Sequence, residues 1–278
     1  MVLCAVVGAC GPGAGSGAGG GGPDASSQAG PDGAGGGGAG SGSDGSSGYV
    51  VYAHSNTTLY SVDLASKSLV TVGSFQTPDV ITDLAVAPSG TIYVISEHNL
   101  FTASPTDGHV TKIGSLATCG MQGVALTTTN DGRIWIGDYM GAICELDISQ
   151  ATPVVKPPIM LSDGYALAGD LTGIGDGTVF GTAYKLADST TEHDNILVKV
   201  DLSTGTVTPV GATGFPRLYG TAFQQDKVFG FSHDGSGRVV TIDLTTGVGT
   251  LFGTFVDPAT SMGIAFAGAG VNSLITLE

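Results

Sequence analysis

Short runs of alternating apolar and polar residues fill the chain from residue 49 to residue 278, and turns that contain glycine separate them. The segments 203–211 and 245–253 show the pattern best, because each places a Gly in a tight turn beside β-branched residues. Alternation of this kind is typical of half-buried strands, and such turns are typical of hairpins. The pattern predicts an all-β fold built from many short strands.

One strand type recurs along this region at a nearly constant interval. Copies end at Asp63, Asp147, Asp201 and Asp243, and Pro105 holds the same position in one further copy. The spacing is 42 residues in three of the four intervals, and the longer interval, from Asp147 to Asp201, contains a polar insertion around residues 187–195. Units of four strands that repeat every ~40–50 residues predict a β-propeller.

The number of repeats predicts five blades, with six as the alternative. The chain opens with what would be the second, third and fourth strands of a blade, and residues 263–267 are predicted to return as its first strand. Closure of this kind removes exposed sheet edges. Residues 271–278 are then surplus, and they could be an added edge strand or the start of a sixth blade.

The segment Val200-Asp-Leu-Ser-Thr-Gly-Thr-Val207 resembles repeats of the bacterial propeller superfamily that includes YVTN-type and quinoprotein-like proteins. The resemblance covers residues 49–278 and implies the propeller fold. Trp135 is followed by Ile136, so the WD signature is absent, and the tryptophan docking residues of quinoprotein repeats are absent too. We therefore expect no quinone cofactor. The repeated Asp is expected to accept backbone N–H bonds in the following turn.

The N-terminal residues resemble a bacterial lipoprotein signal. Val7-Gly8-Ala9-Cys10 is similar to a lipobox, in which the cysteine carries the lipid. Residues 1–10 are thus expected to be a signal remnant, and the Gly-, Ala- and Ser-rich segment 11–48 is expected to be a disordered tether. Residues 49–278 would be the propeller. This organisation predicts an exported protein at the cell envelope, in the outer membrane or at the cell surface.

Charge and motifs limit the function classes. The net charge is −15, with 9 Lys plus Arg in the chain, which disfavours nucleic-acid binding. Membrane contact is expected through the lipid anchor alone. None of the common catalytic motifs (H-E-x-x-H, G-x-S-x-G or a Walker loop) occurs in the sequence. The sequence predicts no cofactor and no metal site, and we expect a monomer.

A ligand site is predicted at one face of the propeller. Connections between blades and the hairpins between second and third strands open on the same face, around a central funnel, and they carry polar and aromatic residues. The candidate ligand-binding residues are His54, His98, Asp138, Tyr139, Tyr165, Arg217, Tyr219, His233 and Asp234. A concave polar and aromatic ring suits a glycan, peptide or partner protein. The alternative is a metal-dependent hydrolase or lyase in the same funnel.

Cys119 and Cys144 are predicted to lie at the same face of one blade. They could form a disulfide in an exported protein, provided that the incoming connection folds back over the second strand. The alternative is a pair of small buried thiols.

Overall fold

The computed structural model of the chain describes residues 49–117, 119, 123–188 and 195–276. Strands account for most of this part, and its helices are two short 3-10 turns, Ser162–Gly164 and Leu186–Asp188. No helix among the described residues is long and apolar enough to cross a membrane. The predicted all-β class is confirmed.

Five antiparallel sheets form the five blades of the predicted propeller. Blade 1 contains β1 (Val51–His54), β2 (Thr58–Asp63) and β3 (Ser68–Ser74), and blade 2 contains β4 (Ile81–Val86), β5 (Ile92–Ser96), β6 (Asn99–Ala103) and β7 (Val110–Ser115). Blade 3 contains β8 (Gly123–Thr128), β9 (Ile134–Asp138) and β10 (Ala142–Asp147), with β11 (Val154–Val155) and β12 (Ile159–Met160) both paired to β10. Blade 4 contains β13 (Tyr165–Gly173), β14 (Val179–Lys185), β15 (Ile196–Asp201) and β16 (Thr206–Ala212). Blade 5 contains β17 (Leu218–Gln224), β18 (Lys227–Ser232), β19 (Arg238–Ile242) and β20 (Gly249–Thr254).

The ring closes through a strand that lies later in the chain than the sequence predicts. β21 (Gly268–Gly270) pairs antiparallel with β1 and is the innermost strand of blade 1. Residues 263–267 form the connection that leads to it, with the Ala267 N–H donating to the His54 carbonyl at 2.8 Å. The prediction that residues 263–267 form this strand is therefore wrong, because the strand is Gly268–Gly270. Only small residues fit at β21, because a Cβ on Gly268 would collide with Asp83 Oδ1.

The surplus C-terminal residues begin no sixth blade. Instead, the described part of the tail, 271–276, crosses the end of the channel opposite the inter-blade connections. The Ser273 N–H donates to Val86 O in blade 2, and the Ser273 hydroxyl donates to Thr129 O beside blade 3. The Gly175 N–H, beside blade 4, donates to Ile275 O at 2.6 Å. The tail thus joins three blades at that end.

The repeated Asp residues cap turns as predicted. Asp63 Oδ1 accepts the N–H groups of Ala65 and Ser66, and Asp243 Oδ1 accepts those of Thr245 and Thr246. Asp147 and Asp201 each accept the N–H two residues later. Side-chain and backbone hydrogen bonds from these turns hold the pKa of all four carboxyls below the usual range. The prediction of a structural role is confirmed.

The hydrophobic core lies between neighbouring blades. Phe180 of blade 4 stacks parallel to Phe223 of blade 5, with ring centroids 6.3 Å apart. Phe231 of blade 5 meets the edge of Phe266, in the connection to blade 1, at 5.2 Å. Because each blade buries both faces against its neighbours, the innermost strands are held in fixed positions around the axis.

Candidate functional site

A cavity of about 300 Å³ opens at the axis on the face that carries the inter-blade connections. We call it the funnel. All five blades or their connections contribute to it, and the described lining residues are Asn56, Thr82, Val124, Tyr139, Leu167, Ala168, Gly169, Tyr184, Tyr219, His233 and Ala267. The innermost strands supply small or slender residues at its floor, which leaves the central space open. The volume lies at the lower end of the range for small-molecule sites.

Aromatic side chains from blades 3, 4 and 5 form the funnel wall. The rings of Tyr219 and His233 stack with their centroids 4.7 Å apart and their planes 14° apart. His233 Nδ1 lies 3.0 Å from Phe266 O, and this contact places the proton on Nδ1 and leaves Nε2 without it in the neutral ring. The Tyr184 hydroxyl donates to Tyr139 O at 2.6 Å. These contacts fix the aromatic rings before any ligand arrives.

No Asp, Glu, Lys or Arg lines the funnel among the residues that the structure describes. Burial, as the largest cause, raises the pKa of Tyr184, so its phenol stays protonated at neutral pH. The polar groups available to a ligand are therefore hydroxyl, amide and imidazole groups. Such a lining favours uncharged molecules, because an ion would lose hydration without gaining an opposite charge.

Two carboxyl groups lie directly below the funnel floor. Asp83 accepts the N–H of Leu84 at 2.8 Å and that of Leu126 at 2.6 Å. Asp170 accepts the N–H of Leu171 at 2.6 Å and that of Thr221 at 3.1 Å. Both side chains are completely buried and lie within hydrogen-bonding reach of each other. We call them the axial pair, and burial raises the pKa of both carboxyls well above the usual value.

His54 lies beside the axial pair and is fully buried. Its Nδ1 contacts Ser55 O at 2.7 Å, and its Nε2 has no hydrogen-bond partner among the residues that the structure describes. Burial, the largest cause, lowers the pKa of His54 to about 4. The ring is therefore neutral at physiological pH.

A second depression of about 320 Å³ adjoins the funnel over blade 2, and the two share Thr82 and Val124 in their linings. We call it the side groove. Asp79 lies in it and accepts hydrogen bonds from Ser96 Oγ at 2.8 Å and Asn99 Nδ2 at 2.6 Å. The Asn99 contact is the largest cause that lowers the pKa of Asp79, so this carboxylate is ionised at neutral pH. The side groove is thus polar, and it extends the funnel outward.

Four of the nine predicted face residues lie in these two depressions. Tyr139, Tyr219 and His233 line the funnel, and His98 lines the side groove. Tyr219 is the second residue of β17, and the other three lie in the hairpins between the second and third strands of their blades.

The other five predicted face residues are placed elsewhere, each for a local reason. His54 is buried behind β21, and Asp138 is buried while accepting the N–H groups of Met140 and Ala142 within its own hairpin. Tyr165 packs in the core with Lys185 Nζ 3.5 Å above its ring. The backbone carbonyl of Arg217 accepts the His233 N–H, and Asp234 pairs with Arg238 at the rim. These five residues therefore lie outside the linings of the funnel and the side groove, and their part in ligand binding stays a prediction.

Sequence reasoning missed Tyr184, Asn56 and Thr82 in the funnel, and the axial pair beneath it. Tyr184 is the penultimate residue of β14 in blade 4, where the insertion that follows made the phase of the repeat hard to assign. The axial pair carries a weak signal, because an Asp-Leu step occurs inside an apolar innermost strand at both Asp83 and Asp170.

Cys119 and Cys144 form a disulfide in the structure, with their Cα atoms 5.8 Å apart. Cys119 Sγ lies 4.0 Å from Ile136 O, so the incoming connection crosses β9 to reach β10. Cys10 and the predicted tether lie outside the described residues, so the lipid anchor stays a prediction. Among the residues that the structure does describe, no three His, Cys, Asp or Glu side chains are grouped to hold a metal ion.

The fold and site together define a five-bladed β-propeller with an aromatic funnel at its axis. No protein-family model and no curated protein matches this chain. It is similar in structure to virginiamycin B lyase from Staphylococcus aureus, with 14% identity, a TM-score of 0.42, and coverage of 74% of this chain and 66% of that one. A streptogramin B lyase gives 17% identity, a TM-score of 0.41, and coverage of 74% and 64%. The chain thus spans slightly less than two thirds of their length, and we base no functional inference on the likeness.

Proposed function

We propose that this chain is a binding module whose funnel takes a neutral, ring-bearing ligand, with the terminal sugar of a glycan as the best fit. The observation that carries the proposal is the funnel itself, in which Tyr139, Tyr184, Tyr219 and His233 surround a space that no charged side chain of the described residues lines. Aromatic faces suit the C–H surface of a sugar ring, while phenol, imidazole and amide groups suit its hydroxyls. The tether and Cys10 would hold this module at the bacterial cell envelope.

The side groove supports a ligand longer than one ring. It meets the funnel at Thr82 and Val124, so a chain that leaves the funnel would run over blade 2. Asp79 and Asn99 lie there, and their carboxylate and amide can accept from and donate to sugar hydroxyls. We propose that the second and third sugars occupy this groove.

Isothermal titration of the purified domain against a neutral glycan panel tests the proposal. Tyr139→Ala and Tyr219→Ala should each weaken binding about 10- to 100-fold, in the range typical of buried aromatic anchors. Tyr93→Ala is the matched control, because Tyr93 is a half-buried tyrosine of blade 2 that does not line the funnel. Equal losses in all three variants, or no binding to any neutral glycan, would reject the funnel as the site.

Longer ligands separate the side groove from the funnel. An oligosaccharide should bind more tightly than its terminal monosaccharide, and Asn99→Ala should reduce affinity for the longer ligand alone. Equal affinity for both ligands would remove the side groove from the proposal and leave the funnel in it.

One observation favours an enzyme as the second candidate. His233 is anchored through Nδ1 on Phe266 O and presents Nε2 as an acceptor, which is the arrangement of a general base. A hydrolase or lyase would then convert a glycan of the panel, and His233→Gln would abolish turnover while leaving binding in place. Binding without product formation supports the module.

A further inference from the structure

The axial pair belongs to a layer that all five innermost strands share. The residues of this layer are Gly268, Asp83, Ala125, Asp170 and Gly220. Three of the five carry no side chain or a single methyl group, and this leaves room for two carboxyl groups to meet at the axis. A Cβ on Gly268 would collide with Asp83 Oδ1, so the space is already filled by the carboxyl.

The hydrogen bonds of the axial pair reach every blade. Asp83 of β4 accepts from Leu126 of β8, and Asp170 of β13 accepts from Thr221 of β17 and from Ala269 of β21. β21 is the closing strand of blade 1, so the pair connects the two ends of the ring as well as its middle. The carboxyl pair therefore links the innermost strands of all five blades through hydrogen bonds at the axis.

Two ionised carboxylates would repel each other strongly in such a site, because both are completely buried and lie within hydrogen-bonding reach of each other. One proton between the two groups removes the repulsion and supplies a hydrogen bond, as in other carboxyl dyads. We propose that Asp83 and Asp170 form a proton-binding site at the propeller axis, and that the bound proton stabilises the closed ring.

The surroundings leave the proton on the carboxyl pair. His54 is the titratable side chain that approaches from β1, since both its Nε2 and Asp83 Oδ1 lie close to the Cβ position of Gly268. Its pKa is lowered to about 4, mainly by burial, so it does not take the proton at neutral pH. The residues facing the pair from the other innermost strands carry no titratable group, and they are Ala125, Leu126, Gly220, Thr221, Gly268 and Ala269.

Acid should therefore stabilise the fold through this pair. Each carboxyl pKa is raised in the folded state, so its contribution is fully present below the pKa of an unfolded Asp and is lost as the pH rises through the folded pKa. One extra bound proton changes the folding equilibrium up to tenfold per pH unit. For a domain of this size that corresponds to a melting-temperature change of about 3–5 °C per pH unit.

Asp83→Asn and Asp170→Asn test the proposal, because an amide donates to the remaining carboxylate without a bound proton. Melting temperatures of the wild type and both variants would be measured from about pH 5 to about pH 9, a range that lies above the pKa of an unfolded Asp. We expect each variant to gain stability relative to wild type as the pH rises. Asp138→Asn is the matched control, since Asp138 is equally buried and also accepts two backbone N–H bonds. It should show no such trend.

Infrared difference spectroscopy of the folded wild type with isotope-labelled Asp gives a readout independent of stability. A protonated-carboxyl C=O band at neutral pH, absent in Asp83→Asn, supports the proposal even if one variant folds poorly. A pH-independent stability difference together with no such band would overturn it. The absence of this band, together with a melting temperature that rises to a plateau with added Na⁺, K⁺ or Ca²⁺, would also overturn it, because the site would then hold a metal cation.

Discussion

The Cys119–Cys144 disulfide offers a prediction whose size follows from the structure. The bridge closes a loop with a sequence separation of 25, which corresponds to about 3.5 kcal/mol of unfolded-state entropy at room temperature. For a domain of this size, we expect its loss to lower the melting temperature by about 7–14 °C. The perturbation is the double variant Cys119→Ala and Cys144→Ala, and the assay is calorimetric unfolding without reductant.

A second arm separates the cross-link from the packing of sulfur. Both cysteines are buried, so alanine also removes core volume, whereas reduction of the wild type keeps both sulfur atoms in place. Reduced wild type should therefore lose most of the predicted stability, and the double variant slightly more. Two free thiols in the purified domain 49–278 unfolded without reductant, or an unchanged melting temperature after complete reduction, would refute the reasoning.

Three further predictions concern His54, the C-terminal tail and the N-terminal cysteine. Burial lowers the folded pKa of His54 to about 4, from an ordinary 6.5, so its neutral ring stabilises the fold above pH 6.5 and this contribution, about 3 kcal/mol in total, is lost as the pH falls toward 4. His54→Leu should make the free energy of unfolding, measured by urea titration at several pH values, depend less on pH in this range. An unchanged pH dependence would contradict the lowered pKa. Deleting residues 271–278 should lower the melting temperature but leave a folded ring. Deleting from Gly268 onward should abolish cooperative unfolding, because β21 is then lost. Equal effects of the two deletions in calorimetry would show that β21 does not close the ring. Cys10→Ser should release the full-length protein from the membrane fraction of a bacterial host, and its retention there would contradict the lipid anchor.

The blade repeat could be predicted because it follows from the alternation of apolar and polar residues along each strand and from the residue types in the turns. The closing strand could not, since Gly268-Ala-Gly270 has no apolar pattern and becomes a strand only through its pairing with β1. Its small residues are selected by the crowded axis, which depends on strands from distant parts of the chain.

The candidate site was predictable where position in the repeat alone sets the location. Tyr139, Tyr219 and His233 follow or begin strands that the repeat places correctly, and they line the funnel. Asp138 stands in the same hairpin as Tyr139 but turns inward to cap it, because local backbone N–H groups compete for its carboxylate. Side-chain direction of this kind depends on hydrogen bonds that the sequence pattern does not encode.

The tail across the far end of the channel makes the axis a blind well. Below the axial pair the innermost strands enclose a cavity of about 10 Å³, too little for more than one water molecule, and buried Val271 of the tail lines it. Whatever enters the funnel must leave by the same mouth. A polymer therefore cannot thread this propeller, and a chain that reaches the floor of the funnel must do so with its end.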